Sequence, residues 1–117
     1  MACLPQPGQT LELGPNGRWF RLGEDESVSM GRRHAARRIL VELARRHHAG
    51  LGPLELYDAF DVGWPDQNID PEAAAHRVYV TISSLRKLGL DDLLLTEADG
   101  YLLDPATHLI GPPAQSW

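Results

Sequence analysis

Between residues 76 and 90 three bases, Arg77, Arg86 and Lys87, stand among His76, Tyr79, Thr81, Ser83 and Ser84, with no carboxylate in the stretch. These residue types suit an anionic polymer. Guanidinium and ammonium groups neutralise phosphates, and hydroxyls donate to phosphate oxygens or base edges. Val80 adds a methyl-rich side chain, able to pack on a thymine methyl or on an apolar protein surface.

Other residues invite chemistry less firmly. Arg32, Arg33, Arg37, Arg38, Arg45 and Arg46 crowd residues 31–50 beside one acid. They could form a phosphate-binding stripe, but charge runs are usually solvated faces paired with nearby acids. His47 and His48 are adjacent, so on a helix they point about 100° apart, and no third ligand is evident. Trp19 and Trp64 read as packing residues, although either ring could stack on a base. Cys3 is the single cysteine, which excludes an intrachain disulfide or a thiolate metal cluster. No Gly-rich phosphate loop, nucleophile motif or placeable pair of carboxylates is present, so neither an enzyme, nor a cofactor, nor a metal site is expected.

For the segment 76–87 to act as one surface, it must be a helix. Val78, Tyr79, Val80, Thr81 and Ile82 all favour strands. The start decides otherwise. Asp70-Pro71-Glu72 supplies a cap, a first-turn proline and an acid at the positive helix end, and Ala73, Ala74 and Ala75 are strong helix formers. At about 100° per residue, Ala74, Val78, Ile82 and Leu85 share one side. The pattern predicts a helix from about Pro71 to Leu88, stopping near Gly89. On it His76, Val80, Ser83, Ser84 and Lys87 face outward, with Arg77, Tyr79 and Arg86 on the flanks.

Two more helices precede it. One starts at Ser29 as N-cap, buries Ala36, Ile39, Leu40, Leu43 and Ala44 on one face, and ends at Gly50. A short one opens with Gly52-Pro53 and turns Leu56, Tyr57 and Phe60 inward. A turn-rich loop, "DVGWPDQNID", follows. Upstream, Leu11–Leu13 and Arg18–Leu22 around "GPNG" predict a hairpin, with a third short strand over Glu26–Val28. Downstream, Leu93–Thr96 and Tyr101–Leu103 predict a second hairpin, turned by Asp99-Gly100 with positive φ. Residues 1–9 read as a flexible lead-in and 105–117 as an irregular tail, leaving one domain over 10–104.

The 117 residues suit one domain, and 43% hydrophobic content supports a core. No apolar run approaches a membrane span and no signal peptide stands at the N-terminus, so a cytoplasmic protein is expected. The net charge of −5 counts against a nucleic-acid binder, but it is unevenly spread. Residues 51–75 hold six acids and no Lys or Arg, and residues 91–117 hold five acids and no bases.

"RVYVTISSLRKLGL" followed by "LLLTEADGYLL" resembles the effector domain of OmpR-type response regulators, and is similar to the N-terminal domain of streptomycete antibiotic regulatory proteins. The residues that carry the resemblance are Val78, Val80, Ile82, Leu85, Arg86 and Lys87, then Gly100 and Tyr101. It covers about residues 11–104. It implies an α+β fold, a winged helix-turn-helix with a small N-terminal antiparallel sheet, three helices and a C-terminal β-hairpin wing. It also implies a third helix in the major groove of duplex DNA and a wing reaching toward the minor groove. The residues placed at that surface are His76, Arg77, Tyr79, Val80, Thr81, Ser83, Ser84, Arg86 and Lys87.

The chain departs from the family at charged positions. Ser83 and Ser84 stand where arginines are common, as do Glu97 in the wing and Leu102 after the tyrosine, and Asp99 adds an acid at the tip. Each missing arginine removes a phosphate contact, and each acid repels phosphate. The expectation is a DNA-binding module of a transcriptional regulator with weak electrostatics, assisted by a partner chain or by a homodimer. The alternative is a protein-interaction module that uses the same helix face without DNA. No receiver domain fits within this length.

Overall fold

In the computed structural model, which describes residues 9–98 and 100–111, the chain begins with strand β1 (Thr10–Leu13) and turns through a short 3-10 segment into β2 (Trp19–Leu22). β2 pairs antiparallel with β1, Leu13 opposite Phe20. β3 (Val28–Ser29) adds to its other edge, Trp19 opposite Ser29. Ser29 therefore belongs to a strand and caps no helix, a correction to the expected start. Helix α1 (His34–Ala49) begins after Arg33, with no side-chain cap. Its buried face is the expected one, Ala36, Ile39, Leu40, Leu43 and Ala44. It ends at Gly50, whose N–H donates to the carbonyls of Arg46 and His47.

The second helix also starts later than expected. Leu54–Glu55 forms a two-residue strand, β4, and α2 runs over Leu56–Gly63, taking in residues expected to lie in the loop. Ala59 and Phe60 are buried, whereas Tyr57 is 51% exposed rather than inward. A helix that starts at Leu56 turns its first turn toward solvent on the tyrosine side.

Helix α3 (Pro71–Leu85) opens as the sequence predicts: the Asp70 carboxylate accepts from the Glu72 N–H at 3.0 Å. Ala74, Val78, Ile82 and Leu85 are its buried side. The expected extension to Leu88 is a π-helical turn over Arg86–Leu90 instead. Gly89, at φ 131°, takes a backbone conformation that other residues rarely adopt and kinks this turn from within.

β5 (Leu94–Glu97) and β6 (Gly100–Leu103) form the second hairpin. Among the described residues of this turn Ala98 is the left-handed one, at φ 53°, and Gly100 is already in β6. Asp99, the other residue of the expected turn, lies outside the described residues. Gly100 has a different use. A Cβ there would sit 2.6 Å from the Leu54 carbonyl oxygen, so only glycine lets β4 pair with β6.

The segment from Pro105 is not irregular throughout. β7 (His108–Ile110) pairs parallel with β1, Leu11 opposite Leu109, and takes the fold beyond the expected boundary at 104. Residues 112–117 and residues 1–8 of the expected lead-in at 1–9 lie outside the described residues, while the Gln9 carbonyl accepts from the His108 N–H at 3.0 Å. The result is an α+β domain of three helices and two small sheets, ordered β3-β2-β1-β7 and β4-β6-β5. Its core joins Leu11, Leu13 and Phe20 to Ile39, Leu40, Val78, Ile82 and Leu103. Among the described residues no helix is long and apolar enough to cross a membrane.

Candidate functional site

With α3 packed through Val78 and Ile82, its opposite side turns outward. Tyr79 is 54% and Val80 50% exposed, and His76, Arg77, Ser83 and Lys87 are exposed with them. Thr81, Ser84 and Arg86 are half-buried. For Ser84 this corrects the outward placement, since the helix leads into the turn that packs over the core at Leu85 and Leu90.

The two arginines of this face have partners inside the molecule. Arg86 donates through Nε and Nη2 to the Leu94 carbonyl, at 3.1 and 2.8 Å, and through Nη2 to the Thr96 hydroxyl at 2.8 Å. It clasps the end of α3 to β5. Arg77 donates to the Gln67 side chain at 2.6 Å and lies 6.0 Å from the centre of the Trp64 ring. Trp64 in turn stacks on Phe60 at 5.3 Å, as expected of a packing residue. Lys87 and His76 remain as the cationic or protonatable groups of the face with no such contact among the described residues.

The helix α1 arginines are similarly engaged. Arg45 grips Glu42 at 2.9 and 2.7 Å, and Arg46 reaches the Gly52 and Pro53 carbonyls at 3.0 and 3.2 Å. Arg38 donates to the Gly63 carbonyl at 3.1 Å, and Arg37 to those of Asn16 and Gly31. Backbone carbonyls, more than acids, are what these side chains pair with. The Arg45 guanidinium holds the Glu42 carboxyl below its usual range, against a smaller opposing effect of burial. His47 donates from Nε2 to the Thr107 carbonyl at 2.9 Å, a tether for the segment leading into β7.

A groove of about 470 Å³ opens between the start of α2, the middle of α3 and the hairpin β5–β6. Its walls carry Glu55, Tyr57 and Asp58 from the first elements, Tyr79 from α3, and Thr96 and Tyr101 from the hairpin. No Lys, Arg or His lines it. Burial pushes the Tyr101 phenol above its ordinary pKa, and the neighbouring Tyr79 phenol adds to this, while Arg86 opposes it. Glu97, exposed on β5, adds a further acid to the hairpin.

Glu55, Tyr57 and Asp58 escape sequence reasoning because helix two is expected to begin three residues too early. A register set from Pro53 turns Tyr57 inward, and only the pairing of Leu54 with Tyr101 corrects it. No family model, no curated protein and no solved structure matches the chain.

Proposed function

We propose that this domain is a winged helix-turn-helix, with α2 and α3 as the helix pair and β5–β6 as the wing, and that it works as a protein-interaction module. The order of strands, three helices and terminal hairpin supports the fold reading, together with the Val78, Val80, Ile82, Leu85, Arg86, Lys87 pattern. One observation carries the functional reading: Arg86, one of the residues that the resemblance places at the DNA surface, is half-buried against β5 and donates three hydrogen bonds there. The large hydrophobic side chains that α3 turns outward are Tyr79 and Val80, both half exposed, beside acids of the first turn of α2 and of the wing. Tyrosine is enriched at protein interfaces, and an acidic surround opposes a phosphate backbone.

A second reading, a DNA-binding module of a transcriptional regulator, is favoured by the absence of any carboxylate between residues 73 and 90 and by exposed Lys87 and His76. The two readings differ in salt dependence. About two phosphates neutralised by Arg77 and Lys87 give a log–log slope near −2, shallow for a regulator. Titration with random duplex DNA at two salt concentrations decides between them. The interaction module gives no saturable binding even at low salt, where charges are least screened. Saturable binding that weakens with that slope overturns it in favour of the regulator.

A further inference from the structure

The groove between α2, α3 and the wing has a composition that selects its occupant. It gathers all three tyrosines of the chain, Tyr57, Tyr79 and Tyr101. It adds the carboxylates of Glu55 and Asp58, and no base lines it. Tyr101 is only 6% exposed and lines the groove with its phenol. A phenol hydroxyl can both donate and accept, so at the groove wall it can take a hydrogen bond from an incoming donor.

We infer that this groove docks a cationic segment of a protein partner, seating arginine or lysine side chains between the Tyr57 and Tyr79 rings and the Glu55 and Asp58 carboxylates. The inference rests on the interaction reading and names the partner's chemistry. Aromatic faces attract guanidinium and ammonium groups through the ring quadrupole, and the attraction grows as the site loses water. Carboxylates accept the fork of a guanidinium in two parallel hydrogen bonds. The Tyr101 hydroxyl can accept one more. An anionic occupant meets Glu55 and Asp58 at like charge. A purely apolar helix would bury both carboxylates unpaired, which is costly. The volume lies within the roughly 300–1,000 Å³ of ordinary ligand pockets, enough for one or two basic side chains and not for a whole helix.

The test uses the whole chain and a blocked tetra-arginine peptide, with blocked tetra-glutamate as control, followed by NMR of the aromatic rings. The expected result is saturable binding of the arginine peptide at low salt, with shifts at Tyr57, Tyr79 and Tyr101 and none at Trp19 in β2, and no shifts with the glutamate peptide. Glu55→Gln with Asp58→Asn should weaken it about tenfold. Glu24→Gln with Glu26→Gln removes the same charge from the exposed loop between β2 and β3 and should leave affinity unchanged. Tyr79→Ala, on the exposed side of α3, gives an independent loss should the first pair fail to fold, each fold being checked by its thermal melt. Equal losses in the two charge pairs, or no saturation, overturn the inference. Self-association removed by the Glu55 and Asp58 changes would seat a second copy in the groove and overturn the foreign partner. Duplex DNA run on the same sample separates the two levels. Silence toward both peptide and DNA removes the cationic occupant alone, whereas saturable DNA binding removes the interaction reading beneath it.

Discussion

Replacing Arg86 with alanine should damage the fold rather than a contact face. Three donor contacts vanish at once, two to the Leu94 carbonyl and one to the Thr96 hydroxyl. Hydrogen bonds to a charged group contribute about 1.5–3 kcal/mol. The side chain is half-buried, so part of its charge is already solvated, and the loss comes to about 2 kcal/mol. For a domain of this size that lowers Tm by roughly 10 °C. Arg86→Lys should recover no more than about half, since an ammonium is a point charge and cannot present the planar fork that reaches both acceptors. The assay is urea unfolding with a constant m-value, so that a shifted midpoint reports stability alone. Amide exchange gives a second readout: the amides of β5 should exchange faster, because the clasp holds that strand to α3. If Arg86→Ala melted within about 0.5 kcal/mol of the parent, as ordinary surface changes do, the guanidinium would be free to serve a partner and the case against phosphate recognition would lose its footing.

Val78→Ala should cost roughly 1.5–3 kcal/mol, because Val78 is fully buried, while Val80→Ala, at a half-exposed position, should fall within about 0.5 kcal/mol of the parent; equal losses in denaturant melts would refute the amphipathic placement of α3. Glu42→Gln should cost about 0.5–1 kcal/mol at neutral pH. The Glu42 carboxyl is held low by Arg45 in the folded state, so its contribution is present above the ordinary glutamate range and fades as pH falls through the depressed value. Melts of parent and variant should therefore converge in acid, and a gap that persisted there would assign the loss to something other than the ion pair. Thr107→Val should raise stability by up to about 1 kcal/mol, since the buried Thr107 hydroxyl has no partner among the described residues and valine removes it at nearly equal shape; a lower melting temperature would mean the hydroxyl is satisfied after all.

Helix α3 was legible because two local signals agreed. The Asp70-Pro71-Glu72 start and the Ala74, Val78, Ile82, Leu85 spacing outweigh the strand propensity of Val78 to Ile82. The apolar face of α1 was legible for the same reason, but its start was not. Ser29 has the chemistry of a cap, yet pairing with Trp19 takes it into the sheet, a contact that no local pattern announces. β4 and β7 depend wholly on partners far along the chain. Two residues at Leu54–Glu55 have no period, and they pair only because Gly100 leaves room for the Leu54 carbonyl. His108–Ile110 pairs with a strand at the other end of the chain. The outward residues of α3 followed from the wheel. The internal use of Arg77 and Arg86 did not, because Gln67 and Leu94 come near only after the helices and hairpin assemble.

The parallel contact between β1 and β7 has a mechanical side. In register, Thr10 faces His108 and Glu12 faces Ile110. The chain enters the fold at the start of one strand and leaves it at the far end of the other. Tension applied along the polypeptide from both sides would drag the two strands past each other lengthwise. Their hydrogen bonds would share that load together instead of peeling open one at a time. A tug on the flanking chain thus meets the sheet in its stiff direction, and the helices and the tyrosine groove behind it are shielded from the pull.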